Sequence, residues 1–426
     1  MKIEIPRGMR DIEFEESKYI ELMRQKFMDA AQRYNFNFME PSPLEMLSTL
    51  EAKSGPSISS ETYSFTDKGG RTVGLRFDLT VGLSRFVSQR REFKMPIKLA
   101  SFGGVWRYDE PQSGRYRYFH QWDVEIFGSF SNEADSEIIE FVYKFLKDLG
   151  LEVVVEINHR QIIERYLTDK LGISEISTIG EMLRAIDKLA RKTPQQIYEE
   201  YERKLDLSKL RQLIEFCNFK GRPEDCPESN ILENFEGWKS TLEIFDSLKS
   251  RGVKEAQLDL GIVRGLDYYS GLVFEVFDAS TNIGALVGGG RYDKLTEIFG
   301  RKEIGTTGAA GGVERILAAM RNRNLMKLKS KPLIYVVYSS EKVKNCVIQI
   351  VSDLRNSGYT TDYDFQTKRI DKQISDAISR KASAIIVVDQ DEIKNQMVTI
   401  RNNKGETTRH KITDLIKKMD EVLVAC

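Results

Sequence analysis

Apolar residues recur every three or four positions from Glu15 to about Tyr34. Ile20, Met23, Phe27 and Ala31 fall on one stripe, which predicts a helix burying that face. The period then shortens. Thr62–Phe65, Thr72–Arg76, Lys98–Tyr108 and Tyr116–Ile126 are short strand-like runs separated by turn residues, a pattern that predicts antiparallel sheet. A helical stretch at Ala134–Leu149 precedes a strand at Glu152–Ile157. From about Leu171 to Leu232 glycine is sparse, and Leu183, Ile186 and Leu189 return to helical spacing. Thr193 followed by Pro194 reads as an N-cap and a first helical residue. This segment is expected as a helical insertion rather than part of the sheet. Strand texture resumes at Ala256–Val263, Val273–Phe277 and Ile283–Gly288. Two glycine-rich runs, Gly288–Gly290 and Gly305–Gly312, then lead into a helix from Val313 to about Arg323.

The stretch Arg321–Lys331 is basic and poor in apolar residues, so it is the expected linker. Beyond Pro332 strands and helices alternate: Leu333–Tyr338, Glu341–Asn356, Thr360–Tyr363, Lys368–Arg380 and Ala384–Val388. A hairpin at Asn402–Glu406 and a last helix, Thr413–Val424, complete an α/β module of ordinary domain size.

Composition adds bounds. A chain of 426 residues, 41% hydrophobic, is expected to form two or three domains. Lys+Arg and Asp+Glu both total 64, so any nucleic-acid footprint must be local. The terminal module, with 16 Lys+Arg against 13 Asp+Glu over 331–426, is only mildly basic. The start lacks a signal-peptide core, and runs such as Ala384–Val388 are too short to span a bilayer, so a cytoplasmic setting without membrane is expected. Cys217, Cys226, Cys346 and Cys426 are scattered without a Cys-x-x-Cys pair, which argues against a disulfide framework and against zinc.

The chemistry concentrates in five stretches. Over Trp106–Glu125, alternation along a return strand from Arg117 places Arg117, Phe119, Gln121, Asp123 and Glu125 on one face. A cation, an aromatic ring, an amide and two carboxylates make a poor core and a good ligand platform. Arginines suit a triphosphate because the guanidinium fork gives paired charge-assisted hydrogen bonds. Leu260–Gly271 contains Arg264-Gly265-Leu266-Asp267-Tyr268-Tyr269, which alone is a strand end and turn. Gly288–Asp293 and Gly308–Arg315 combine glycines, which allow close backbone approach, with a downstream Glu314-Arg315 at a helix start. Arg76–Thr80 offers Asp78, whose simplest role is a helix N-cap, and Thr80. His120, His159 and His410 have no partners at catalytic or metal-ligand spacing, and His120 should point away from its site-facing neighbours.

Together these stretches resemble the histidyl-tRNA synthetase family of class II aminoacyl-tRNA synthetases, and the resemblance covers nearly the whole chain. Trp106–Glu125 is similar to the family's motif 2, Leu260–Gly271 and Gly288–Asp293 to its two histidine signatures, and Gly308–Arg315 to motif 3. The resemblance implies that Arg107 holds the α-phosphate of ATP and Arg115 the outer phosphates, with Asp109 also on the nucleotide. Phe119 and Arg315 would sandwich adenine. Asp78, Thr80 and Gln121 would hold the α-amino group of L-histidine. Glu125 and Tyr269 would read its two imidazole nitrogens, with Tyr268 and Tyr292 beside them. Arg264 would be catalytic together with Arg107, touching the α-phosphate and the substrate carboxylate. ATP would enter with Mg2+, and no organic cofactor or protein-bound metal is implied.

Three departures stand out: Asp78 and Asp109 where glutamate is common, and Ala309-Ala310 where a bulkier residue is usual. The implied fold is an α+β class II core, an antiparallel sheet flanked by helices. Its parts would be 1–171 and 233–322, with a helical insertion at 172–232, a linker at 323–330 and an α/β anticodon-binding domain at 331–426. The implied partners are tRNA(His) and a second copy in a homodimer. Two rivals are a regulatory, non-catalytic paralogue that binds histidine or RNA, and a sister enzyme for another amino acid. The first is disfavoured by the presence of Arg107, Arg115, Arg264 and Arg315, the second by Glu125 with Tyr269.

Overall fold

The computed structural model describes residues 3–54, 56–108, 116–190, 192–227, 229–263, 269–327, 331–366 and 368–424. It separates into two compact units, Met1–Lys327 and Leu328–Cys426.

In the first unit the described strands are β1 (Asn37–Phe38), β2 (Leu44–Met46), β3 (Ser64–Thr66), β4 (Thr72–Leu75), β5 (Ile97–Trp106), β6 (Tyr118–Phe127) and β7 (Val153–His159). They continue as β8 (Lys220–Gly221), β9 (Ala256–Asp259), β10 (Leu272–Asp278), β11 (Val287–Arg291) and β12 (Thr306–Gly312). Nine of these form one sheet, in the order β1-β5-β6-β12-β11-β10-β7-β9-β8. From β5 to β7 every neighbouring pair is antiparallel. β2, β4 and β3 form a separate three-stranded sheet.

A helix at Phe14–Arg33 buries Tyr19, Ile20, Met23, Phe27, Ala30 and Ala31, the stripe its spacing predicts. Asn35 at φ 61° ends it, with Phe36 N–H returning to Ala31 C=O and Asn35 N–H to Gln32 C=O. Phe27 then packs 5.3 Å from Trp122 of β6 and about as close to Phe141 and Phe145 of the Asn132–Asp148 helix. One face of the sheet is thus backed by a dry aromatic layer. A fully buried ring of this size contributes roughly 1.5–3 kcal/mol, so this layer is what holds the opposite face in place.

Three expectations need correcting. The segment expected to be purely helical supplies β8, which pairs with β9 at the sheet edge. Its helices at Ile176–Asp187 and Leu207–Cys217 share one apolar cluster with Leu258, Leu260 and Val273, because a helix stripe of this width must cover a sheet. Next, the strand bounds around the glycine runs differ from those expected. Gly288–Gly290 lie within β11 and Gly308–Gly312 within β12, held by ladders on both sides despite glycine's weak strand preference. β11 therefore runs later than the expected Ile283–Gly288, and β9 stops short of Val263. Finally, the basic stretch after Arg321 is in part fastened to the first unit, where the Tyr19 hydroxyl donates to Met326 C=O at 3.0 Å. Thr193 does cap the Pro194–Tyr201 helix, in a reciprocal box with Gln196.

The second unit has β13 (Leu333–Tyr338), β14 (Thr360–Tyr363), β15 (Ala384–Val388), β16 (Met397–Asn402) and β17 (Thr407–Lys411), in the order β14-β13-β15-β16-β17. The first three are parallel and the last two antiparallel. Ile334, Val336 and Tyr338 meet the Lys344–Asn356 helix on one face, while Tyr335 and Val337 meet Ala377 on the other.

Candidate active site

Residues directly opposite one another on paired strands share a face. One such row runs Asp123 on β6, Ala310 on β12, Gly288 on β11 and Glu275 on β10. A second runs Glu125, Gly308, Gly290 and Val273. The middle of the sheet thus carries nothing larger than a methyl group between Asp123 and Glu125 on one bank and Glu275 and Val273 on the other, and a hollow results. A Cβ on Gly288 would meet nothing within 4 Å, whereas one on Gly308 would lie 1.5 Å from Glu125 Oε2 and 2.7 Å from the Tyr292 hydroxyl. The first glycine opens onto the hollow; the second leaves room for the carboxylate that fills it.

The hollow is a cavity of about 320 Å³. Asp78, Thr80, Arg107, Phe119, Gln121, Glu125, Tyr269, Tyr292 and Arg315 all line it, gathered from widely separated stretches of chain. Arg264, Asp109, Arg115 and Tyr268 lie outside the described residues. His120 and Arg117 are not in the lining. Nor is Arg291, which alternates with Tyr292 and turns into a buried ion pair with Asp135 at 3.0 Å.

A hydrogen-bonded relay orders one bank. Thr80 Oγ1 donates to Asp123 Oδ2 at 2.8 Å, and Gln121 Nε2 donates to Asp123 Oδ1 at 2.8 Å. Asp123 is thus a buried acceptor that aligns both donors. Arg107 Nη2 reaches Gln121 Oε1 at 3.4 Å, its Nε donates to Phe77 C=O at 3.0 Å, and its guanidinium lies 5.2 Å from the centre of the Phe119 ring. Asp78 Oδ1 accepts from Val81 N–H at 3.2 Å, so the carboxylate steadies the Thr80–Ser88 helix start and lines the cavity as well.

Across the hollow the Tyr269 and Tyr292 rings stand 6.2 Å apart, edge to face. Burial first, and then Glu125, Glu275, Asp123 and Asp78, hold the Tyr269 hydroxyl well above its usual range. It stays protonated, so it can donate a hydrogen bond, and the Glu125 carboxyl offers oxygens that can accept one. At the other end Arg315, in the first turn of the Val313–Asn322 helix, donates from Nη1 to Ala285 C=O at 2.7 Å.

Sequence reasoning assigned no role to Glu275, Tyr116 or Glu314, which also line the cavity. Glu275 had a readable signal: it is the one carboxylate in the middle of the apolar run Leu272–Phe277. The histidines behave as expected of residues outside the chemistry. His159 is buried and caps the Arg160–Arg165 helix, and burial lowers its pKa to about 4. His410 pairs with Thr408 at 2.8 Å.

The family profile described as Histidyl-tRNA synthetase matches residues 8–316, and one described as Anticodon binding domain matches residues 333–422. A histidine–tRNA ligase of Pyrococcus furiosus is 33% identical over 434 residues, covering 99% of each chain. One of Thermoplasma volcanium is 29% identical over 427 residues, again covering 99% of each. A crystal structure of histidyl-tRNA synthetase from Nostoc sp. PCC 7120 shares the fold with a TM-score of 0.81, at 20% identity and 99% coverage of both chains. Among the described residues no helix is long and apolar enough to cross a membrane. With two family profiles spanning both units, and a relative of one-third identity matched end to end, the chain belongs to the histidyl-tRNA synthetase family of class II aminoacyl-tRNA synthetases.

Proposed function

We propose that this chain activates L-histidine with ATP and transfers it to tRNA(His) through a histidyl-adenylate intermediate. The observation that carries this reading is one cavity with two kinds of end. Glu125 and Tyr269 line one, an acceptor and a donor suited to the two nitrogens of an imidazole ring. Phe119, Arg107 and Arg315 line the other, a stacking face with guanidinium groups suited to a nucleotide.

On this reading the α-amino group of histidine sits against Asp78, Thr80 and Gln121, and adenine lies between Phe119 and Arg315. ATP enters as its Mg2+ complex, with Asp109 and Arg115 on the nucleotide. A carboxylate oxygen of histidine attacks the α-phosphorus, the bond to the bridging oxygen breaks, and pyrophosphate leaves. The transition state gathers negative charge on the α-phosphoryl oxygens. Arg107 and Arg264 stabilise that charge from opposite sides, with no reorganisation needed because Arg107 is already held by Phe77 C=O and Gln121. In the second step a hydroxyl of the terminal ribose attacks the adenylate carbonyl, and AMP departs.

The same reading makes residues 1–171 and 233–322 the catalytic core and 172–232 an insertion within it. Residues 331–426, beyond a linker at 323–330, become the anticodon reader. It also takes the protein as a cytoplasmic homodimer. The direct test is charging: full-length protein with Mg–ATP, labelled histidine and a tRNA(His) transcript should yield histidyl-RNA, at a rate that drops when the anticodon is replaced. Folded protein that binds ATP and histidine yet charges no RNA would favour the non-catalytic paralogue.

A further inference from the structure

His120 alternates with two cavity residues, Phe119 and Gln121, and its ring lies instead against Tyr118 and Phe102, centroids 5.5 and 6.2 Å away. Its backbone N–H is directed toward β12, but that strand ends opposite Gln121, at Gly312. A strand amide without a ladder partner is costly when buried. Here the Glu314 carboxylate takes the place of the missing carbonyl, accepting the His120 N–H at 2.9 and 3.0 Å. The His120 ring Nδ1 lies 3.0 Å from the same Glu314 Oε1. An ionised carboxylate only accepts, so this contact selects the tautomer with hydrogen on Nδ1. Glu314 is in the first turn of its helix, where negative charge is favoured, and its side chain is only 9% exposed.

The two clamped residues have telling neighbours. Phe119 precedes His120, and Arg315 follows Glu314; both line the cavity. We infer that His120 is a positioning residue, which through Glu314 sets the gap between Phe119 and Arg315 and so the fit of the adenine ring. This rests on the proposed placement of adenine between those two side chains. It assigns His120 no contact with substrate. A clamp beside the nucleotide end should affect ATP far more than histidine, since the histidine end is built from Glu125, Tyr269 and the Asp123 relay.

Steady-state pyrophosphate exchange on His120→Ala, His120→Asn and His120→Gln tests this. Removing one charge-assisted hydrogen bond should raise the KM for ATP about tenfold in H120A while the KM for histidine moves less than about twofold. H120N should recover most of the loss, because its amide nitrogen occupies nearly the place of Nδ1. H120Q places its amide where Nε2 stood and should not recover it. Calorimetric binding of a non-hydrolysable ATP analogue should rank the variants in the same order. If the variants bind the analogue in that order but the unaltered protein shows no exchange, the proposed reaction fails and the clamp stands. An unchanged KM for ATP in H120A, equal losses for both substrates, or rescue by Gln as good as by Asn would overturn it.

Discussion

The nine-stranded sheet of the first unit and the five-stranded sheet of the second bury their strands for different reasons. β13 is apolar along its length and covered by helices on both faces, as parallel strands usually are. From Gln121 onward β6 is buried just as completely, yet its residues alternate Gln121, Asp123 and Glu125 on one face with Trp122 and Val124 on the other. The second face is a core. The first is a set of polar groups removed from water, each costing energy unless partnered, and the Thr80–Asp123–Gln121 relay supplies partners. Such a face suits the small polar substrates proposed for the cavity. The five-stranded sheet keeps no such buried polar face; among the described residues of the second unit Phe365, which is 71% exposed, is a large apolar side chain left on the surface.

That contrast can be broken at several points. The largest effect is expected from Arg264→Ala. The variant should fold and bind histidine, while single-turnover adenylate formation falls by about 10²–10³-fold, the usual worth of a preorganised charge at a transition state. Near-normal exchange would remove Arg264 from the chemistry. Ending the chain at Lys327 separates the two sheets: histidine-dependent exchange should persist, whereas most RNA charging and its anticodon sensitivity should go. Oligomeric state and thermal unfolding must be followed in parallel, since an unfolded or dissociated fragment would lose both activities. A folded fragment that still charges RNA as well as the full chain would contradict the division of labour.

Within the polar face, Gly308→Ala would force a methyl group to 1.5 Å from Glu125 Oε2. Because the carboxylate must turn away, the KM for histidine should rise by roughly a hundredfold, equivalent to about 2.7 kcal/mol, with ATP binding much less affected. Glu125→Gln keeps the shape and removes the charge, so a smaller rise, about tenfold, is expected. If ATP binding suffers equally in either variant, these residues serve a different part of the cavity.

Much of this is legible in the amino-acid sequence. The Phe14–Arg33 stripe, the β5–β6 hairpin and the alternating second unit follow from periodicity, and alternation alone put Phe119, Gln121 and Glu125 on one face. The strand state of the glycine runs is not legible, because local preference favours a turn at Gly-Gly-Gly; only the ladders from β10 and β6 hold β11 and β12 extended. The His120–Glu314 contact was out of reach for a related reason: it depends on where β12 ends beside β6, and its partners lie 194 residues apart in sequence. The two-residue β8 is too short to carry any periodicity.

The most direct test of the central claim is amino-acid-dependent ATP–pyrophosphate exchange by the full chain, measured across the whole set of amino acids. Exchange should depend on histidine, with at least about a hundredfold preference over every other amino acid, because any side chain lacking one imidazole nitrogen leaves Glu125 or Tyr269 buried without its partner. Comparable exchange with another amino acid, or none with histidine from folded protein that binds ATP, would contradict the account.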